Sequence, residues 1–274
     1  MDINVKNGNF AVEPLTSGDL HAVRLLQPEG WGDILSTIQF YCTSNFCFPL
    51  KATVDGMVAG IGTAIIYGDT AWLGHIIVHK EHRNAGIGTK ITQALIDLVN
   101  KTPCRTIMLI ATSLGEPIYK KVGFEVQTQY VFLEDGALPE PDEFGKNITG
   151  FDNNYEALLQ LDRSISGEDR KKLFNEHVKN SSLYTDNKKL KGFYISTLGE
   201  GLIVAGSTEA GFALMRIKST INNKFCIPIN NEAGVDYLTS HGYKEVRRAS
   251  RMILGQKLTW NGSKLYSRIG GNLG

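Results

Sequence analysis

The chain has 274 residues, enough for one large or two ordinary domains. Its 42% hydrophobic and 21% charged residues are ordinary for a soluble globular protein, and a net charge of +1 gives no electrostatic reason to expect nucleic acid or an anionic membrane as a partner. No apolar run approaches the roughly 20 residues of a membrane span. Residues 1–6 carry no signal-peptide core, and Cys42, Cys47, Cys104 and Cys226 are scattered without a Cys-x-x-Cys pair, so a cytoplasmic protein with reduced thiols and no zinc site is expected.

In chain order, residues 10–15 read as a first strand, and Thr16 with Asp19 has capping-box spacing before a helix through Leu20, Val23 and Leu26. A second helix is predicted over 31–41, after the break at Pro28 and Gly30. Residues 47–54 and 57–67 read as strands paired across Asp55-Gly56, a favoured hairpin turn. Residues 72–78 are rich in β-branched and aromatic side chains and read as the central strand. Ile91, Leu95, Leu98 and Val99 then recur at helical spacing. A strand over 106–111, a short helix over 116–122 and a strand over 125–133 follow.

Between the central strand and the long helix lies Arg83-x-x-Gly86-x-Gly88. A glycine turn at a helix start exposes backbone N–H groups at the positive end of the helix dipole, where a pyrophosphate is well held, and glycine lets the backbone approach it. The first glycine of a dinucleotide-binding Gly-x-Gly-x-x-Gly is missing, since Asn84 and Ala85 precede Gly86, and no Walker pattern is present.

Val78 followed by Arg83-x-x-Gly86-x-Gly88 resembles the acetyl-CoA motif of the GNAT N-acetyltransferases. Ile118-Tyr119-Lys120-Lys121-Val122-Gly123-Phe124 resembles that family's Leu-Tyr-x-Lys-x-Gly-Phe, at the usual distance, and the resemblance covers roughly residues 8–134. It implies that Arg83, Asn84, Ala85, Gly86, Ile87, Gly88 and Thr89 hold the pyrophosphate of acetyl-CoA. It further implies that Ile76, Ile77 and Val78 pair with the pantetheine arm as an added strand would, and that the first two helices line the acceptor side. Tyr119 matches the tyrosine near the CoA sulfur that commonly serves as the acid. His75 is either the base, directly or through water, or a satisfied strand histidine; His79 and His82 read as solvated. Thr112 stands where many relatives carry asparagine.

Residues 135–154 are polar, with Pro139, Pro141 and Gly145 close together, and read as a linker. Beyond them come Leu161-Asp162-Arg163, Gly167-Glu168-Asp169-Arg170, a helix through Leu173, Phe174 and Val178, and a solvated turn over 188–191. Residues 202–204, 209–221, 225–229 and 232–240 then repeat the strand, helix, strand, helix order of the first half and end in Gly242-Tyr243, as the first copy ends in Gly123-Phe124. In this second copy the loop 79–85 is reduced to Ala205-Gly206-Ser207-Thr208, and Ser207 or Thr208 is expected to cap the helix. Together with Arg251-Met252-Ile253-Leu254-Gly255 and the run 265–271, the chain resembles a bacterial group of two-domain GNAT proteins whose C-terminal domain is degenerate.

The resemblance implies an α/β (α+β) tandem GNAT fold, each domain a central mixed, mostly antiparallel sheet flanked by helices, with domains at 1–134 and 155–274. It implies an acetyl-CoA-dependent N-acetyltransferase that acts without a metal on a primary amine of a small molecule, with a protein N-terminus less expected, as a monomer or homodimer. Two other readings stay open: a non-catalytic acyl-CoA-binding regulatory protein, and a structural interaction protein, which would not need the intact glycine motif.

Overall fold

The computed structural model describes residues 5–7, 10–140, 147–151 and 154–274, and by its internal contacts the chain divides into two compact units. The first unit runs to Glu125 and takes in Met252–Gln256 and Gly271–Leu273; the second holds Val126–Arg251 and Lys257–Gly270. This division differs from a boundary at residue 134, because residues 126–134 count with the second unit and two short distant segments count with the first. Of the stretch read as a linker, residues 141–146 and 152–153 lie outside the described residues, and Ile148–Gly150 is a strand.

In the first unit, strands β1 (Val5–Asn7), β2 (Phe10–Pro14), β3 (Cys47–Val54), β4 (Met57–Tyr67) and β5 (Thr70–Val78) pair antiparallel in sequence order. Asp55 and Gly56, both at positive φ, form the tight turn between β3 and β4. Strand β6 (Thr106–Ala111) lies parallel to β5. Gln256 N donates to Arg105 O, and Thr106 Oγ1 donates to Gln256 O, which fastens the segment Met252–Gln256 at β6. The amphipathic α3 (Ile87–Val99) packs Ile91, Leu95 and Val99 into a core with Leu50, Leu73, Ile107, Leu109 and Met252.

Two expected helices of this unit are shorter than predicted. The first is α1 (Leu20–Val23), flanked by 3₁₀ turns at Ser17–Asp19 and Arg24–Leu26; Asp19 Oδ2 accepts from Thr16 N at 2.8 Å and Thr16 Oγ1 at 2.9 Å. The second, α2 (Leu35–Thr43), starts four residues after the predicted Trp31. The reason is Gln27: its amide donates to Trp31 O at 3.2 Å and Gly32 O at 2.8 Å and accepts from Ile34 N at 3.2 Å, so residues 31–34 follow a clamped loop. Asp33 Oδ1 then accepts from Leu35 N at 3.1 Å at the helix start. A short α4 (Glu116–Lys121) completes the unit.

The second unit has strands β7 (Glu125–Glu134), whose first residue counts with the first unit, and β8 (Ile148–Gly150), helices α5 (Tyr155–Ser166) and α6 (Lys171–Phe174), and the hairpin β9 (Ser181–Asp186) and β10 (Lys189–Ile195). It continues with β11 (Leu202–Ala205), α7 (Thr208–Ile221), β12 (Phe225–Pro228), α8 (Glu232–Ser240), β13 (Lys244–Gly255), whose last residues count with the first unit, and β14 (Leu265–Ser267). One antiparallel sheet has the order β14-β11-β10-β9-β8, and β12 pairs antiparallel with β7. The solvated turn expected over 188–191 is only Asn187 and Lys188, both at positive φ; Lys189 already opens β10. The helix expected through Val178 stops at Phe174 and resumes as a 3₁₀ turn at Val178–Asn180.

The Leu-Asp-Arg and Gly-x-Asp-Arg segments meet inside this unit. Arg170 grips Asp162 through Nε to Oδ2 at 3.0 Å and through Nη2 to Oδ1, with both side chains almost wholly buried. The architecture is mixed α/β, with mostly antiparallel sheets flanked by helices, as the sequence implied.

Candidate active site

Three segments singled out in the sequence converge at Gly88. A Cβ placed there would lie 3.5 Å from Val78 Cγ2 at the end of β5 and 3.6 Å from Ile118 Cδ1 on α4. Tyr119 is the next residue on α4.

The turn from β5 into α3 is built by backbone. Val78 O accepts from Arg83 Nε at 3.3 Å, Asn84 has φ +63°, and Gly86 is the N-cap residue at φ +80° with nothing within 4 Å of where its Cβ would be. No side chain caps the helix and its first turn holds no acidic residue. The first rung is Lys90 N donating to Gly86 O at 3.0 Å, so the N–H groups of Ile87, Gly88 and Thr89 precede the ladder. Ile87 is buried in the core and anchors the helix start, while Arg83, Asn84, Ala85 and Gly86 are exposed. Such a helix start favours an anion through its N–H groups and its dipole.

Beside it the sheet opens. The parallel register of β5 and β6 runs through Thr70–Thr106, Ala71–Ile107 and Trp72–Met108 and ends there, although β5 continues to Val78 and β6 to Ala111. The backbone of Ile76, Ile77 and Val78 on that side therefore lies beyond the paired part of the strand. On its other side, β5 carries a bulge: Ile61 pairs with Ile77 and Thr63 with Gly74, so Gly62 alone faces His75 and Ile76. His75 is the bulged residue, at φ +49°. A non-glycine residue there stores roughly 1–2 kcal/mol of backbone strain, which the surroundings must hold.

Those surroundings are aromatic. The hydroxyl of fully buried Tyr41 is 3.0 Å from His75 Nδ1, and the Trp31 and Tyr41 rings meet the His75 ring edge-on, with centroids at 6.1 and 5.5 Å. Asn272 Nδ2 donates to Tyr41 Oη, and Asn272 packs against Gly74, where a Cβ would fall 2.4 Å from Asn272 Cβ. Burial pushes the His75 imidazole down to about 4, so it is neutral at physiological pH. Tyr41 and Asn272 were not identified from the sequence. They are 231 residues apart, and no local pattern links them.

Tyr119 is held by the chemistry of its motif. Gly123 N donates to Lys120 O and Phe124 N to Tyr119 O, a Schellman cap closed by Gly123 at φ +96°, and the Phe124 ring packs against Tyr119. Burial pushes the Tyr119 phenol up to about 12. Thr112 is exposed and takes part in the turn before α4, its Oγ1 accepting from Gly115 N at 3.3 Å. His79 and His82 are partly exposed on the loop, with ring centroids 5.8 Å apart. His75 lies three residues before Val78, roughly 10 Å along the strand, so it belongs to the bulge end of the site and not to the helix start.

In the second unit the corresponding turn is closed by side chains. Ser207 Oγ accepts from Ala210 N at 3.3 Å as the N-cap, Glu209 stands in the first turn of α7, and the Tyr266 ring lies against Gly211, where a Cβ would sit 2.3 Å from Tyr266 Cζ. The Gly242-Tyr243 corner keeps the same cap as the first copy, Gly242 N donating to Thr239 O and Tyr243 N to Leu238 O. Among the described residues, no group of three or more His, Cys, Asp or Glu is placed to hold a metal ion, and no helix is long and apolar enough to cross a membrane.

Residues 20–124 match the Acetyltransferase (GNAT) family, and residues 158–267 match an Acetyltransferase (GNAT) domain. The chain belongs to the GNAT acetyltransferases and carries two such domains in tandem. It is similar to the uncharacterized Bacillus subtilis protein YyaT, 31% identical over 114 residues, which is 40% of this chain and 76% of that one. It is also similar to the uncharacterized N-acetyltransferase YitH of the same species, 23% identical over 159 residues, 57% of this chain and 55% of YitH. In fold it resembles a Pyrococcus horikoshii protein described as an acetyltransferase, with a TM-score of 0.83 at 19% identity over 100% of this chain and 99% of that one. A GCN5-related N-acetyltransferase from Sphaerobacter thermophilus aligns at a TM-score of 0.61 and 12% identity over 95% of this chain and all of that one.

Proposed function

We propose that the first unit binds acetyl-CoA at the β5–α3 turn and transfers its acetyl group directly to a primary amine of a small molecule, in the cytoplasm. The observation that carries the reading is the uncapped start of α3, standing beside the strand edge that opens after Trp72–Met108. The residues present fit the group. Open space at Gly86 and the N–H groups of Ile87, Gly88 and Thr89 suit the oxygens of a diphosphate, with Arg83 adding positive charge. The extended backbone of Ile76–Val78 suits an amide-bearing arm that adds as a strand. Acetyl-CoA supplies the acyl group as a thioester.

The protein's own contribution is positioning and proton supply. Tyr119 Oη, with its pKa near 12, keeps its proton at neutral pH and so serves as an acid and not a base. Trp31, Tyr41 and His75 form an uncharged aromatic wall at the bulge, where a neutral amine is accommodated more readily than its ammonium form. The side-chain-capped start of α7 supports a reading in which the second unit holds no CoA of its own.

The test is a panel of amines incubated with the intact protein and acetyl-CoA, with release of free thiol followed. Amine-dependent thiol release is expected for at least one class. Binding of CoA without turnover for any amine would favour the acyl-CoA-binding regulatory reading.

A further inference from the structure

The bulge end of the site holds a hydrogen-bond chain whose direction can be worked out from its end. Asn272 points its amide nitrogen, a donor only, at Tyr41 Oη. The tyrosine oxygen accepts from Asn272, and because Tyr41 is fully buried its own hydrogen would go unsatisfied unless it is donated to the remaining neighbour, His75 Nδ1 at 3.0 Å. A nitrogen that accepts a hydrogen bond carries no hydrogen. In a neutral imidazole the hydrogen must then be on Nε2.

We propose that Asn272, acting through Tyr41, fixes His75 as the tautomer protonated on Nε2, so that His75 offers a hydrogen-bond donor, and not a base, at the bulge of β5. The functional half of this inference rests on the acetyltransferase reading above; the tautomer itself does not. Asn272 is a positioning residue. It is locked by its packing on Gly74, and the neighbouring Leu273 is tied down by Tyr67 Oη donating to Leu273 O at 3.4 Å. Tyr41 is fully buried, with Asn272 and His75 as its hydroxyl partners. Burial depresses the proton affinity of His75, so the ring is neutral and one of its nitrogens is available to accept. A neutral Nε2–H suits an oxygen acceptor: the carbonyl of the acyl group or a polar group of the acceptor molecule. Deprotonation of the amine then falls to water or to another group.

The alternative polarity is chemically distinct and can be installed. In Asn272→Asp the carboxylate only accepts, so the Tyr41 hydroxyl must turn toward it and its oxygen must accept from His75. The hydrogen then moves to Nδ1, and Nε2 becomes the acceptor.

The experiment is long-range ¹H–¹⁵N correlation on intact protein with ¹⁵N-labelled histidine, with the His75 signals assigned by their loss in His75→Gln. The expected wild-type pattern is a protonated Nε2 and an unprotonated Nδ1. In Asn272→Asp the pattern should reverse, and in Tyr41→Phe, which removes the relay, it should become a mixture of tautomers. A wild-type ring protonated on Nδ1 would overturn the proposal without any variant, which covers the case in which a variant fails to fold. An Asn272→Asp ring that keeps the wild-type pattern would also overturn it.

Once an acceptor amine is found, Asn272→Asp should lower kcat roughly tenfold to a hundredfold, the scale of one hydrogen bond to a developing charge, with CoA affinity unchanged. A reversed tautomer with undiminished kcat would remove the donor role while leaving the relay intact. Failure of the acetyltransferase reading would show separately, as wild-type protein without turnover but with the expected ring pattern.

Discussion

Replacing Asp162 by alanine removes one half of a buried ion pair and leaves the other half in place. Asp162 and Arg170 have side chains only 1% and 3% exposed, and they meet through two hydrogen bonds, one of them 3.0 Å long. Ser166 Oγ adds a longer contact to the same carboxylate at 3.4 Å, and the guanidinium lies 5.5 Å from the centre of the Phe174 ring. Without the carboxylate the buried guanidinium loses the counter-charge that it grips through two hydrogen bonds, a cost of up to about 3–5 kcal/mol. That is a large share of the roughly 5–15 kcal/mol that holds a typical domain together. Replacing both residues, Asp162→Leu with Arg170→Met, removes both charges and keeps most of the volume. The double variant should therefore be more stable than either single variant. Urea unfolding of the wild type, Asp162→Leu, Arg170→Met and the double variant measures this as a double-mutant cycle, with Asp162→Ala unfolded beside them. An Asp162→Ala cost below about 1 kcal/mol, or a double variant whose loss equals the sum of the single losses, would refute the reasoning that the two residues act as a coupled buried pair.

Tyr119→Phe should keep CoA affinity and lower turnover by roughly 10²–10⁴, the range of a general acid, in steady-state assays with a true acceptor; unchanged turnover would exclude it as the proton source. Burial pushes the His75 imidazole down from the usual 6.5 to about 4, so between those values the unfolded chain binds the extra proton. Stability should be at its full value above about pH 6.5 and fall as the pH drops toward 4, by up to about 3 kcal/mol from this group. His75→Gln should flatten that part of the stability profile in urea melts taken across the range. Gly74→Ala would put a Cβ 2.4 Å from Asn272 Cβ and 2.8 Å from its Cα, forcing residues 271–273 off the strand. A loss of about 1–3 kcal/mol in thermal or urea unfolding is expected, together with the mixed His75 tautomers of Tyr41→Phe.

The local chemistry of the chain was readable wherever a short segment carried its own pattern. The Asp55-Gly56 turn, the β-branched run before Val78 and the periodic apolar face of α3 each follow from residues within one turn or strand of one another. The Ser207 cap and the Gly242-Tyr243 corner were legible for the same reason. Features made by distant residues were not. The late start of α2 depends on Gln27 reaching over residues 31–34, and a helical pattern in that loop does not reveal it. Lys188–Lys191 looked like a solvated turn because charge marks exposure, but the first residue of β10, Lys189, is exposed as well and begins the strand. Asn272 and Met252–Gln256 join the first unit across more than a hundred residues, so a contiguous domain ending at residue 134 would lack both. At the candidate site, the helix-start half was legible because its anion-binding character resides in the backbone of one loop. The surroundings of His75 were not, because Tyr41, Trp31 and Asn272 reach it from distant segments of the chain.

The two copies differ at the turn that joins the strand to the long helix. Each joins a strand to a long helix, and each helix start must satisfy its first N–H groups. The α7 start does so with Ser207, an acidic first turn and a covering Tyr266 ring. The α3 start has Gly86 and no side-chain cap, an arrangement that leaves its N–H groups for a ligand.

The most direct test of the account is isothermal titration calorimetry of CoA into the intact protein and into its Gly86→Asp variant. Gly86 has φ +80° and open space around its Cβ position, and aspartate tolerates that conformation better than most residues, so the variant should fold at a cost of roughly 1 kcal/mol. Its carboxylate would place a negative charge where the diphosphate is expected. The account predicts one CoA site per chain in the wild type and none in Gly86→Asp. Two equal sites per chain, or a folded Gly86→Asp protein that binds CoA as tightly as the wild type, would contradict it.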